Sequence, residues 1–182
     1  ATVQALWSAP HRQAFGAALI AQPLMQSVLA DLALESEAAL LLAMQLAQAF
    51  EGSSAPGQTT AQAWQRAMTP AAKFWVCKRA IACSAEAMEV LGGNGYIDSS
   101  ALARIYREAP VNSIWEGSGN VMCLDVLKAL QREPDLRDAL WLDLQRMAAD
   151  DTPIQQALAC LQGQWQAMAQ DAWAQQAQAR QW

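Results

Sequence analysis

Leu24, Met25, Val28, Leu29 and Leu32 recur at steps of three and four residues, and Leu42, Leu46 and Phe50 continue the stripe. That period belongs to one face of an α-helix and not to the alternation of a half-buried strand. The run ends in Gly52-Ser53-Ser54-Ala55-Pro56-Gly57, whose residues favour turns. A helix this long must bury its stripe against other helices, so the segment constrains the whole chain. Composition agrees: 53% of the 182 residues are hydrophobic and only 16% charged, with Ala, Leu and Gln abundant. The expected fold is all-α, an up-and-down helical bundle. At this length a single helical domain, 1–182, can bury a core without staples.

The other elements follow from the same signals. An opening helix runs to about His11, and Gly16 marks a turn. A second long helix is expected from Thr69 as N-cap, with Pro70 at its first position, through Phe74, Cys77, Ile81 and Met88 to Leu91, where Gly92-Gly93 stops it. Tyr96 to Pro110 holds a short helix and a turn. Ser118 opens a further helix carrying Met122, Val126 and Leu130, and Pro134 punctuates the chain. Leu136, Leu140, Leu144 and Met147 stripe one more helix. Thr152-Pro153-Ile154-Gln155 reads as a capping box before a seam of Ile154, Leu158, Leu161, Trp165, Met168 and Ala172, either a core face or an oligomer contact. The Gln/Ala-rich tail from Gln170 to Trp182 is expected to fray.

Several function classes are disfavoured. A net charge of -5 leaves no broad basic surface for a phosphate backbone, so nucleic acid is a poor partner. The single histidine, His11, excludes paired Glu-x-x-His di-iron motifs, and no metal is expected. Cys77, Cys83, Cys123 and Cys160 lie in apolar runs without C-x-x-C spacing, which fits small buried hydrophobes in a reduced, cytoplasmic setting. No run approaches the ~18 apolar residues of a membrane span. The chain starts without Met and already helix-like at Thr2-Val3-Gln4-Ala5-Leu6-Trp7, as a piece of a longer polypeptide would.

Chemistry centres on Ile114-Trp115-Glu116-Gly117-Ser118-Gly119-Asn120, where one carboxylate stands beside two glycines at a helix start. If Ile114 and Trp115 bury it, Glu116 becomes a better proton acceptor near neutral pH. The plainer explanation is a helix-start carboxylate favoured by the macrodipole, worth roughly 0.3–1 kcal/mol. Three more stretches stand upstream: Arg12-Gln13-Ala14-Phe15-Gly16, followed by Ile20 and Gln22; Glu89-Val90-Leu91-Gly92-Gly93-Asn94-Gly95-Tyr96; and Arg104-Ile105-Tyr106-Arg107-Glu108. Singly, Arg12 is explained as a helix-end cation, Phe15 as core and the glycines as a helix stop.

Together, in this order, they resemble the C-terminal helical domain of the acyl-CoA dehydrogenases, with its R-x-x-F-G, Q-x-x-G-G-x-G-[YF], arginine-acid pair and [YW]-E-G-[ST]. The likeness runs from Arg12 to Asn120, and the wording around Ala109 to Asn120 is most similar to the AidB-like, alkylation-response branch. The resemblance implies a family-like core over 1–130 with additional C-terminal helices over 131–182. It also implies that Arg12 and Phe15 reach the FAD of a neighbouring subunit, Arg12 facing its pyrophosphate through a guanidinium fork. Gly92 and Gly93 would let backbone approach the adenosine end. Glu116 is implied as catalytic base, with Ser118 and Asn120 touching the cofactor. Two positions depart from the pattern: Glu89 replaces a glutamine and, ionised, donates no hydrogen bond, while Asn120 is shorter than the usual glutamine.

The implied reaction is α,β-dehydrogenation of an acyl-CoA thioester, with flavin as hydride acceptor and the amide of Glu116 polarising the thioester carbonyl. An electron-transfer flavoprotein or similar acceptor and a homodimer or homotetramer are the partners that follow. The family's N-terminal helical and middle β-domains are absent from this chain, so the isolated chain is expected to bind FAD weakly or not at all and to be inactive. Two other roles fit the same resemblance: an AidB-like flavoprotein with weak dehydrogenase activity, and a mainly structural oligomerisation domain.

Overall fold

The long apolar stripe folds as expected into a 30-residue helix, Pro23–Gly52, here α2. The computed structural model describes residues 1–53, 57–168 and 171–180. Before α2 come α1 (Thr2–His11), a minimal hairpin of β1 (Gln13–Ala14) and β2 (Ala17–Ala18), and a 3-10 turn over Leu19–Ala21. After it come α3 (Thr59–Ala63), α4 (Thr69–Leu91), α5 (Gly93–Tyr96), α6 (Ala101–Asn112), α7 (Gly119–Arg132), α8 (Pro134–Met147), α9 (Thr152–Ala167) and α10 (Ala172–Gln178). The fold is all-α, with one two-stranded hairpin among the described residues. Ser54, Ala55 and Pro56 of the expected loop, and Gln170, Gln181 and Trp182 of the tail, lie outside the described residues.

Contacts divide the chain into two units. The first comprises Ala1–Ala43 and Trp75–Glu116. Its core joins Ala5 and Ala9 of α1, Leu29 and Leu32 of α2, Ala87 and Val90 of α4, and Leu102 of α6. Ala5, Ala9 and Ala87 are wholly buried, the small side chains expected where helix backbones approach closely, and Leu102 is the largest wholly buried side chain.

The second unit comprises Met44–Phe74 and Gly117–Trp182. There α3 packs on α8, and α7 packs on α8, α10 and a π-turn over Trp64–Met68. Trp64 is buried with its Nε1 donating to Asp143 Oδ2 at 2.8 Å. Arg66 forks onto both oxygens of Asp125 at 3.2 Å and reaches Glu133 Oε1 at 3.0 Å. Its pKa is raised first by the hydrogen bond to Asp125, against the opposing effect of burial.

Several local expectations need correction. Thr69 is not an N-cap: its backbone is already helical, and its Oγ1 donates back to Gln65 O at 2.7 Å. The widened π register tolerates Pro70, which has no N–H to give the ladder, so helix runs from Thr59 to Leu91 without a break. Asp151, one residue before Thr152, caps α9 by accepting from Ile154 N at 3.0 Å. The tail is not simply frayed. Asp171 caps α10 through Ala174 N at 2.9 Å, and Gln175 is buried, accepting a hydrogen bond from Gln131 Nε2. Of the late seam, Trp165 and Met168 are core, whereas Ile154 is half-exposed and Ala172 exposed. Cys123 is buried, Cys77 and Cys83 are half-buried, and Cys160 is exposed, contrary to its expected burial.

Candidate functional site

The first two motifs meet in the first unit. After α1, Arg12 adopts extended backbone, and its Nη1 donates to Leu91 O at 2.7 Å. That carbonyl is among the acceptors that the end of α4 leaves without a helical donor, and the helix dipole favours a cation there. Gly92 follows at φ 62°, ψ -143°, backbone that an L side chain scarcely reaches. A Cβ on Gly92 would stand 2.5 Å from Arg12 Nη1, so the guanidinium lies directly on the glycine. Gly95 has a different reason, since its Cβ would meet Met88 O at 2.4 Å. Gly93 has neither constraint: nothing lies within 4 Å of the Cβ it lacks. Its backbone is therefore open to close approach by a ligand.

Phe15 stands at the tip of the hairpin. The register Gln13↔Ala18 and Ala14↔Ala17 leaves Phe15-Gly16 as a two-residue loop, and both residues have positive φ, 55° and 83°. This is the type I′ geometry that matches strand twist, usually made with Asn-Gly. A phenylalanine there is 98% exposed, so the core explanation fails for it.

Glu116 lies just after α6, which closes with Ser113 N and Oγ on Pro110 O at 3.1 and 2.9 Å and Trp115 N on Val111 O at 3.1 Å. Glu116 then takes φ 52°; among the described residues, it and Phe15 are the non-glycine residues with positive φ. It is exposed, as are Ile114 and Trp115 beside it, so this chain alone does not supply the apolar burial considered from the sequence. Its amide has no hydrogen-bond acceptor among the described residues. Glu89, also exposed, receives Gly92 N on its backbone carbonyl at 2.9 Å. Arg107 pairs with Asp98 at 3.3 Å and not with Glu108.

In the second unit, Gly117 has φ 114°, and a Cβ on it would fall 2.2 Å from Met122 Cε. Its carbonyl accepts from Lys73 Nζ at 2.6 Å. Ser118 is the N-cap residue of α7 but its side chain makes no capping bond, and Asn120 is exposed in the first turn. Both polar groups are thus left out of capping.

Sequence reasoning passed over three cations. Lys73 and Arg66 sit in a helical stretch with no motif. Arg79 forks onto Glu35 and stands 5.1 Å over the Trp75 ring, in a groove of about 440 Å³ also lined by Ala39, Cys83 and Ile105. Their partners are 44 to 67 residues away along the chain, beyond any local pattern. Among the described residues no group of His, Cys, Asp or Glu is able to hold a metal ion, and no helix is long and apolar enough to cross a membrane.

Comparison with known proteins places the fold in a family. The profile described as "Acyl-CoA dehydrogenase, C-terminal domain" matches residues 1–131. The chain is 46% identical to the Escherichia coli (strain K12) "Putative acyl-CoA dehydrogenase AidB", over 88% of this chain and 29% of that protein. It is 31% identical to "Acyl-CoA dehydrogenase family member 11" of Caenorhabditis elegans, over 69% of this chain and 20% of that one. The crystal structure of Caenorhabditis elegans ACDH-11 in complex with C11-CoA superposes with a TM-score of 0.84 and 25% identity, covering 97% of this chain and 32% of that one. This chain therefore spans under a third of these relatives. By fold, by motif order and by these likenesses, the chain belongs to the acyl-CoA dehydrogenase family, as its C-terminal helical domain.

Proposed function

We propose that the full-length protein containing this domain is an FAD-dependent acyl-CoA dehydrogenase and that Glu116 is its base. The observation that carries this reading is backbone strain: positive φ at a non-glycine residue is uncommon, and here it falls on Phe15 and Glu116. Such strain concentrates at functional sites.

The residues present fit the cofactor. Arg12 offers an exposed guanidinium with a single hydrogen bond among the described residues, suited to phosphate oxygens. Gly93 leaves backbone uncovered, and Phe15 projects a bare aromatic ring from the tip of the hairpin. Ser118 and Asn120 add polar groups not engaged in capping. Glu89 is the weak point, since a carboxylate near a phosphate is repelled.

FAD, when bound, supplies the acceptor for the hydride leaving the β carbon. Glu116 takes the proton from the carbon α to the thioester, and its amide, without an acceptor among the described residues, donates to the thioester oxygen, where charge gathers as the proton leaves. The complex of ACDH-11 with C11-CoA supports an acyl-CoA substrate of medium length. Exposed Leu24, Leu34, Leu40 and Leu41 on α2 favour a homo-oligomer, and an electron-transfer flavoprotein is the natural electron acceptor.

The test uses the full-length parent: FAD content, then anaerobic flavin bleaching with a panel of acyl-CoAs. Glu116→Gln keeps the flavin and loses bleaching rate by about 10²–10⁴-fold. Unchanged bleaching in that variant would remove Glu116 from the role. The 46% identity to AidB favours a second reading, an alkylation-response flavoprotein with weak dehydrogenase activity. Salt-sensitive DNA binding without bleaching would select it.

A further inference from the structure

We infer that Lys73 is a positioning residue for the proton-accepting turn, tethering the carbonyl of Gly117 so that the backbone following Glu116 stays in its left-handed form; the inference rests on the base assignment above. Glu116 and Gly117 are consecutive residues at φ 52° and 114°. Glycine has the widest conformational freedom of any residue, so an untethered Gly117 would let this turn relax. No strand ladder holds it. Beside Met122, which lies across Gly117, what holds it is a hydrogen bond of 2.6 Å from a partly buried ammonium to Gly117 O, charge-assisted and so stronger than a neutral one.

The helical run carrying Lys73 is built to grip α7 at separate points. At the π-turn, Arg66 forks onto Asp125 and reaches Glu133, in the middle of α7 and just past its end. Seven residues on, Lys73 takes the residue two before the start of α7. The extra residue of a π-turn shifts side-chain direction by roughly 100° relative to an unbroken α-helix, so it sets which side chains of the run point at α7. Arg66 ties helix to helix. Lys73 instead ties a helix to one carbonyl of a strained turn, and by restraining ψ of Gly117 it limits how far the backbone next to Glu116 can relax. A base displaced by about 1 Å loses rate, and because the bond from the Glu116 amide to the thioester oxygen strengthens as charge gathers there, the loss falls on kcat more than on KM.

The experiment compares Lys73→Met, Lys73→Arg and Arg66→Met in the FAD-loaded full-length parent, with Lys73→Gln replacing the Met variant if that one fails to fold. Lys73→Met is expected to lower kcat about ten- to hundredfold with KM within about a factor of two. Lys73→Arg, whose guanidinium reaches the same carbonyl, recovers most of the rate. Amide hydrogen exchange quickens over residues 113–119 in Lys73→Met alone, while Arg66→Met lowers the unfolding midpoint and leaves kcat in place. Unaltered exchange over 113–119 overturns the proposal, as does a rate loss that Lys73→Arg fails to recover. If the wild-type parent bleaches with no acyl-CoA, the dehydrogenase reading falls, and the exchange comparison alone decides whether Lys73 holds the turn.

Discussion

Two turns in this chain use the same backbone device with different support. At Phe15-Gly16 and at Glu116-Gly117, a large residue in the left-handed region precedes a glycine with positive φ, at 55° and 83° in the first and 52° and 114° in the second. The first is closed by a ladder, Gln13 with Ala18 and Ala14 with Ala17, and nothing lies within 4 Å of the Cβ that Gly16 lacks. The second has no ladder. It relies on the Lys73 ammonium at Gly117 O and on Met122 lying across Gly117. A hairpin fixes its tip through hydrogen bonds on both sides, so the tip residue is free to project; a turn without strands needs a long-range tether, and its neighbour becomes sensitive to distant residues.

Gly117→Ala is the substitution that separates the turns most widely. It places an L residue at φ 114°, outside every well for such residues, and drives a methyl into Met122. We expect a loss of about 2–3 kcal/mol in urea denaturation, and a bleaching rate reduced with it. Met122→Ala in the same chain removes the steric part alone, since Met122 Cε is the flexible end of its side chain. Full recovery in the double variant would show that the backbone is not strained there.

Gly16→Ala should cost less, about 1 kcal/mol, because φ 83° lies near the left-handed well and the space beside Gly16 is open. Equal losses at positions 16 and 117 in matched urea titrations would erase the distinction between a ladder-held turn and a tethered one.

What the sequence made legible follows the same division. Arg12, Phe15, Gly92 and Glu116 were visible because each stands beside a glycine or within a short motif, and the structure bonds Arg12 to Leu91 O, laying its guanidinium on Gly92, while placing Phe15 and Glu116 in left-handed backbone. The long helices were legible from apolar period, which is a local property. Lys73 was not, because its hydrogen-bond partner lies 44 residues away and nothing near it signals a role. Thr69-Pro70 read as a helix start because the pair has the right chemistry, yet a π-turn absorbed the proline. Asp151 and Thr152 are both good caps, and only geometry chose between them. Gln175 read as part of a polar tail, but its burial against Gln131 depends on a contact across 44 residues.

Phe15→Asn has the smallest expected effect on stability and the sharpest meaning for the comparison. Asparagine tolerates left-handed backbone far better than phenylalanine, and Asn-Gly is the preferred type I′ pair, so folding alone gives no reason for an aromatic ring at this tip. The ring is 98% exposed, so its loss removes little packing. Urea denaturation should therefore show a gain of a few tenths to about 0.5 kcal/mol, from a better turn and one less exposed apolar side chain. Flavin retention should move the other way, with the full-length variant releasing FAD faster on gel filtration, as the proposed contact of Phe15 with the cofactor requires. A stabilised variant that holds FAD as tightly as the wild type would mean that the ring meets no cofactor, and the hairpin would then differ from the Glu116 turn in purpose as well as in support.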